Sequence, residues 1–79
     1  MDRLRQMALF AQVVQAGSMS AAARELGLTA SAVSQQMRRL ETDLGVVLLY
    51  RSTRRLSLSE AGAVFLDGCQ AMLGAARGA

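Results

Sequence analysis

Four residues at a fixed spacing constrain the fold of this chain more than any other feature. Ala23 is small enough for two crossing helices to approach closely, and Gly27 allows the left-handed residue that reverses the chain after a helix. Val33 is spaced to point back between the two helices, and Thr29 is placed to cap the second one with its hydroxyl. Residues 20–44 are therefore predicted to form a helix-turn-helix, a motif whose second helix enters the major groove of DNA.

The second helix of this motif divides into an apolar side and a polar side at about 100° per residue. The apolar side carries Ala30, Val33, Met37, Leu40 and Leu44, and the opposite side carries Ser31, Ser34, Gln35, Arg38 and Thr42. The polar side contains no acid, and its side chains suit base edges and phosphates. A solvated helix face is the alternative, but the turn before the helix and the basic segment after it favour DNA.

Length and composition restrict the class of protein. A chain of 79 residues forms one domain with a small core, so a partner is expected. The net charge is +3, and every basic residue is arginine, which suits phosphate and guanine recognition. With one cysteine and no histidine, a Cys/His zinc site and a histidine-dependent catalytic triad are excluded within one chain, so we expect no metal, no cofactor and no enzyme activity.

The segments before the motif are predicted to be helical. Residues 2–15 carry apolar side chains at helical spacing, with Asp2 at the positive N-terminus and Gly17 as the stop. Ser20 is predicted to be the N-cap of a short helix over residues 21–26.

A basic hairpin is predicted after Gly45, which ends the long helix. The apolar run 46–50 fits a strand or a buried turn leading into one, and residues 56–58 fit a second short strand. The loop between them carries Arg51, Arg54 and Arg55 and no acid. We interpret it as a wing that reaches the DNA backbone or minor groove, with a merely solvated loop as the alternative.

The last segment is predicted to be a helix that pairs with a second copy. Ser59 is its expected cap, and its apolar stripe is wider than one small domain needs. Cys69 is interpreted as a packing residue rather than a reactive thiol. The predicted dimerisation residues are Phe65, Leu66, Cys69, Met72 and Leu73. The chain is thus divided into a DNA-binding domain, 1–58, and a linker or dimerisation helix, 59–79.

Most of the chain resembles the N-terminal DNA-binding domain of LysR-type transcriptional regulators. The resemblance is carried by GSMSAAARELGLTASAVSQQMRRLETDLG over residues 17–45, LLYR over 48–51 and RRLSLSEAG over 54–62. It implies a mainly α fold, a winged helix-turn-helix of three helices and a two-stranded wing, followed by a long linker helix. It also implies a dimeric transcription factor that binds interrupted palindromic sites in double-stranded DNA.

The family pattern can be carried over residue by residue. Base contacts map onto Ala30, Ser31, Ser34 and Gln35, Gln36 matches a typical glutamine, and the wing maps onto Arg51, Thr53, Arg54 and Arg55. Together with the cap Thr29 and with Arg38, these residues form the predicted DNA-binding set. Gln35 departs from the basic residue of many members, and Leu49 replaces a common phenylalanine.

Family members continue into an effector-sensing domain that is missing from this sequence, so we expect no small-molecule effector in this fragment. We see no membrane span or secretory signal in the sequence and expect a cytoplasmic protein. The alternative function is a helix-turn-helix module for protein interaction or dimerisation that does not bind specific DNA.

Overall fold

The computed structural model describes residues 2–51 and 56–78 of the chain, with side chains described up to residue 74. Four helices and a two-stranded sheet follow one another along these residues. Their bounds are α1 Arg3–Ala16, α2 Met19–Leu26, α3 Ala30–Leu44, β1 Leu49–Arg51, β2 Leu56–Leu58 and α4 Glu60–Gly78. The mainly helical, winged helix-turn-helix architecture predicted from the sequence is confirmed. In the described ranges, no helix has the length and apolar content required to cross a membrane.

The turn of the motif has the predicted geometry. Gly27 ends α2 with a left-handed φ of 69°, and its N–H donates to the carbonyl of Ala23. Two residues later, the Thr29 hydroxyl accepts a hydrogen bond from the N–H of Ala32 at 3.0 Å, which caps α3. Gly45 ends α3 in the same left-handed conformation, with φ of 72°. The sequence therefore defines both ends of α3.

The start of α2 differs from the prediction. Ser18, and not Ser20, is the N-cap, because its backbone is extended and its Oγ accepts from the N–H of Ala21 at 3.0 Å. The helix consequently begins at Met19, and Ser20 lies exposed in its first turn. Both serines satisfy the same capping preference, so residue type alone did not distinguish them.

One hydrophobic core joins the helices. Phe10, Val13, Val33 and Leu40 are each completely buried, and Ala22 and Ala23 allow α2 to lie close to its neighbours. Each large apolar side chain buried in this way contributes about 1.5–3 kcal/mol of transfer free energy. The helix α4 packs on α1, where the rings of Phe10 and Phe65 meet edge to face with centroids 5.4 Å apart. The core thus fixes α3 on one side of α1 and α4 on another.

The strands are antiparallel and short. Leu49 pairs with Leu58, and Arg51 pairs with Leu56. Residues 46–50 were predicted to be a strand or a buried turn leading into one, and the structure has a turn first, because β1 starts only at Leu49. The backbone groups of Leu48 form hydrogen bonds outside the sheet. Its N–H donates to the Glu41 carboxylate, and its carbonyl accepts from the N–H of Ser59. A turn of residues 46–48 therefore leads into β1, and of these three residues only Leu48 is buried.

Candidate nucleic-acid interface

The outer face of α3 is polar and open to solvent. Ser31, Gln35, Arg38 and Thr42 are exposed, and Ser34 is half-buried. Beneath them, Val33, Met37 and Leu40 are at most 1% exposed and anchor the helix to the core. A rigid helix with its hydrogen-bonding side chains facing outward has the form required to read base edges in a major groove.

One member of the predicted apolar side lies elsewhere. Ala30 is exposed, because it is the first residue of α3 and the core contacts begin one turn later at Val33. Leu44, at the other end of the helix, is half-buried against the core. Ala30 is thus presented to solvent at the start of α3, next to the cap Thr29.

The cations of α3 are available to an anionic partner. Arg38 and Arg39 are exposed and form no ion pair with another residue in 2–51 or 56–78. The Thr42 hydroxyl, in contrast, donates to the carbonyl of Arg38 at 2.9 Å within the helix. Arg38 therefore supplies an exposed positive charge on the polar face, and Thr42 has part of its hydrogen-bonding capacity already used.

Gln36 faces differently from its neighbours. The residue is half-buried, and its side-chain oxygen is shielded from solvent without a hydrogen-bond donor in the described part of the chain. On the helical wheel it lies roughly 100° from Gln35 and between the polar and apolar sides. The structure therefore separates Gln36 from the exposed group formed by Ser31, Gln35 and Arg38.

The wing residues are only partly described. Thr53, Arg54 and Arg55, which were predicted to contact DNA, lie outside the described residues. Arg51 is described, and its guanidinium Nη2 lies 3.1 Å from the Oε1 of Glu41. Arg51 is therefore held in an ion pair. No role was predicted for Glu41 from the sequence, although an acid in the last turn of a helix, near the negative end of its dipole, indicates a partner.

The predicted dimerisation residues fall into two groups. Cys69 is fully buried in the core of a single chain, so the structure corrects its assignment as a contact to a second copy. Phe65 and Leu66 are half-buried and also pack against this core. Met72 is 53% exposed, and Leu73 lines an open groove of about 530 Å³ between α1 and α4.

Burial raises the pKa of the Cys69 thiol, an effect that a backbone hydrogen bond partly offsets.

Comparison with known proteins identifies the family. Residues 4–63 match the model described as bacterial regulatory helix-turn-helix protein, lysR family. The chain belongs to the LysR family. The resemblance seen in its sequence is therefore confirmed over most of its length.

Among relatives of this LysR-family chain are both activators and repressors. It is 49% identical over 73 residues to the HTH-type transcriptional activator AaeR of Escherichia coli, covering 92% of the chain and 24% of that protein. It is 51% identical over 73 residues to the HTH-type transcriptional repressor PA14_22550 of Pseudomonas aeruginosa, covering 92% of the chain and 23% of that protein. The chain thus spans about a quarter of the length of these relatives.

Solved structures share the fold. A crystal structure of a CbnR DNA-binding domain in complex with DNA superimposes with a TM-score of 0.87 at 43% identity, covering 96% of this chain and 86% of that one. A complex of the BenM DNA-binding domain with catB site 1 DNA gives a TM-score of 0.90 at 30% identity, covering 98% and 84%. Both similarities include the helix-turn-helix and α4 of the LysR-family chain.

Proposed function

We propose that this chain binds double-stranded DNA sequence-specifically and serves as the DNA-binding part of a transcriptional regulator. The exposed, acid-free polar face of α3, held on a buried apolar face, carries the proposal. In this proposal α3 lies in the major groove, where Ser34 and Gln35 contact base edges and Arg38 contacts phosphate. The DNA complexes of the two similar domains support the same role here.

The proposal includes a homodimer on an interrupted palindrome. Two copies joined through the predicted linker segment of residues 59–79, which contains α4, would present their α3 helices to major grooves about 34 Å apart. The exposure of Met72 and the position of Leu73 in the open groove support α4 as the pairing surface. The wing, residues 51–55, extends the contact to the sugar-phosphate backbone or the minor groove. Sedimentation of the chain at tens of micromolar tests the dimer, and a monomer there contradicts it.

A selection of bound sequences from random DNA, followed by fluorescence anisotropy, tests DNA binding. We expect the selected DNA to bind at least about tenfold more tightly than random DNA. Gln35→Ala should lower discrimination at one base pair, which corresponds to about 1–3 kcal/mol for a good contact. Equal binding of selected and random DNA contradicts specific recognition, and no binding of either favours a module for protein interaction.

The arginines are tested by the salt dependence of the same binding. Arg38→Ala and Arg54→Ala should each weaken the binding of selected and random DNA to the same extent. Each should also lower the slope of log affinity against log salt concentration by about 0.9, the value for one phosphate contact. Arg5→Ala is the matched control, because Arg5 is an exposed arginine of α1 that lies near Asp2. An equal effect of Arg5→Ala would mean that only net charge, and not the position of the arginine, determines binding.

A further inference from the structure

Glu41 occupies a position that is unfavourable for its charge. It lies in the last turn of α3, where the helix dipole is negative, and its side chain is only 12% exposed. An acid that is mostly buried at such a place requires compensating partners. The structure supplies three of them, and all three follow α3 in the chain.

Both carboxylate oxygens of Glu41 are used. Its Oε2 accepts from the backbone N–H groups of Leu48 at 2.7 Å and Leu49 at 3.1 Å. Its Oε1 accepts from the guanidinium of Arg51 at 3.1 Å. Hydrogen bonds to an ionised group are stronger than neutral ones, so this side chain connects the end of α3 firmly to the start of β1.

The turn of residues 46–48, which joins α3 to β1, also forms hydrogen bonds with Ser59, the residue before α4. The Ser59 hydroxyl donates to the carbonyl of Val47 at 2.6 Å, and the Ser59 N–H donates to the carbonyl of Leu48 at 2.9 Å. The N–H groups of Leu48 and Leu49 are therefore directed to α3, and the carbonyls of Val47 and Leu48 are directed to Ser59, the residue before α4. Since Arg51 belongs to β1, this arrangement sets where the hairpin leaves the domain.

From this geometry we propose that Glu41 is a positioning residue for DNA binding, which fixes the base of the wing against the last turn of the recognition helix. Arg51 serves this connection, so the inference removes it from the backbone contacts proposed for the wing and leaves those contacts to residues 52–55. The inference rests on the proposed function, because it assumes that α3 and the wing engage one DNA site together. Specific DNA requires both elements in register, whereas random DNA requires only positive charge.

Glu41→Ala, Glu41→Gln and Asp43→Ala test the positioning role. Losing hydrogen bonds to a charged group should lower the ratio of selected to random DNA affinity by about tenfold in Glu41→Ala. Glu41→Gln should lower the ratio by less, because the amide oxygen still accepts from the N–H groups of residues 48 and 49. Asp43→Ala is the matched control: it removes an exposed acid of the same turn and should leave the ratio unchanged. Circular dichroism verifies that each variant is folded at the assay temperature.

Arg51→Met tests the second half of the inference. It should leave the salt slope of random DNA binding unchanged, whereas Arg38→Ala lowers that slope by about 0.9. A slope lowered equally by Arg51→Met assigns Arg51 to phosphate and overturns its role in the connection. An unchanged affinity ratio in folded Glu41→Ala overturns the role of Glu41 alone, while a wild-type chain without preference for selected DNA overturns the proposed function itself.

Discussion

The helices α3 and α4 leave opposite kinds of surface uncovered. In α3, the core residues Val33, Met37 and Leu40 are buried, and the exposed side chains are mainly polar. In α4, Val64 is 70% exposed and Met72 is 53% exposed, although both are large and apolar. One chain thus satisfies the apolar side of α3 but only part of that of α4. The difference indicates a polar partner for the first helix and an apolar partner for the second.

The cause of the difference is the number of neighbours around each helix. The elements α1 and α2 both pack against α3, whose apolar residues Val33, Met37 and Leu40 are buried. The helix α4 packs mainly on α1, where Phe65 meets Phe10, and to a smaller extent on β2, while Val64 and Met72 face solvent. Four pairs of matched variants test how α3 and α4 are held in the domain, and the largest effect is expected in the core.

Met37→Ala and Met72→Ala compare the same truncation on the two helices. Met37 is 1% exposed, so its truncation should lower the free energy of unfolding by about 2–5 kcal/mol. Met72 is largely exposed, so its truncation should change that free energy by less than about 0.5 kcal/mol in a dilute, monomeric sample. Urea unfolding measures both values. Similar losses in the two variants would show that α4 is covered as completely as α3.

Gly62→Ala and Gly68→Ala compare two positions within α4. A Cβ at Gly62 would lie 2.1 Å from the carbonyl oxygen of Leu48, so α4 or the turn must shift at a cost of about 3 kcal/mol. A Cβ at Gly68 would meet nothing within 4 Å, and alanine there should stabilise the helix by about 0.5–1 kcal/mol. Thermal unfolding should show a lower melting temperature for Gly62→Ala and a higher one for Gly68→Ala. A tolerated Gly62→Ala would mean that α4 is not fixed closely to this turn.

Val64→Ser and Val47→Ser compare two exposed valines. Val64 lies on α4, and Val47, which is 55% exposed, lies in the turn before β1. If α4 is the pairing surface, Val64→Ser should weaken self-association by about tenfold, since burial of a valine contributes about 1.5 kcal/mol. Val47→Ser should leave self-association unchanged. Sedimentation equilibrium measures both dissociation constants, and equal effects would remove α4 from its proposed role.

Thr29→Ala and Ser31→Ala compare two hydroxyls at the start of α3. The Thr29 hydroxyl accepts the capping hydrogen bond, so its loss should cost about 1 kcal/mol of stability. Ser31 is exposed, and its replacement should change stability by at most about 0.5 kcal/mol. Chemical unfolding at one protein concentration resolves this difference. A larger loss in Ser31→Ala would contradict the capping assignment.

The sequence predicted the features that depend on local spacing. Gly27, Thr29 and Gly45 define the ends of helices through backbone conformation and caps, and each lies where its spacing predicted. The contacts of Glu41 and Gly62 escaped prediction, because their partners are tertiary and become neighbours only when the turn of residues 46–49 folds back. Cys69 was predicted both as a packing residue and as a contact to a second copy, since an apolar stripe does not reveal which of its members are buried within one chain.

The buried thiol of Cys69 makes the association of α4 with α1 measurable in time. A thiol reagent reacts with the thiolate, which burial disfavours by raising the pKa and also shields from contact. Because Cys69 is the single cysteine of the chain, every modification event reports an opening at one known place. The rate of labelling under native conditions therefore measures how often α4 opens from the core, without any introduced probe.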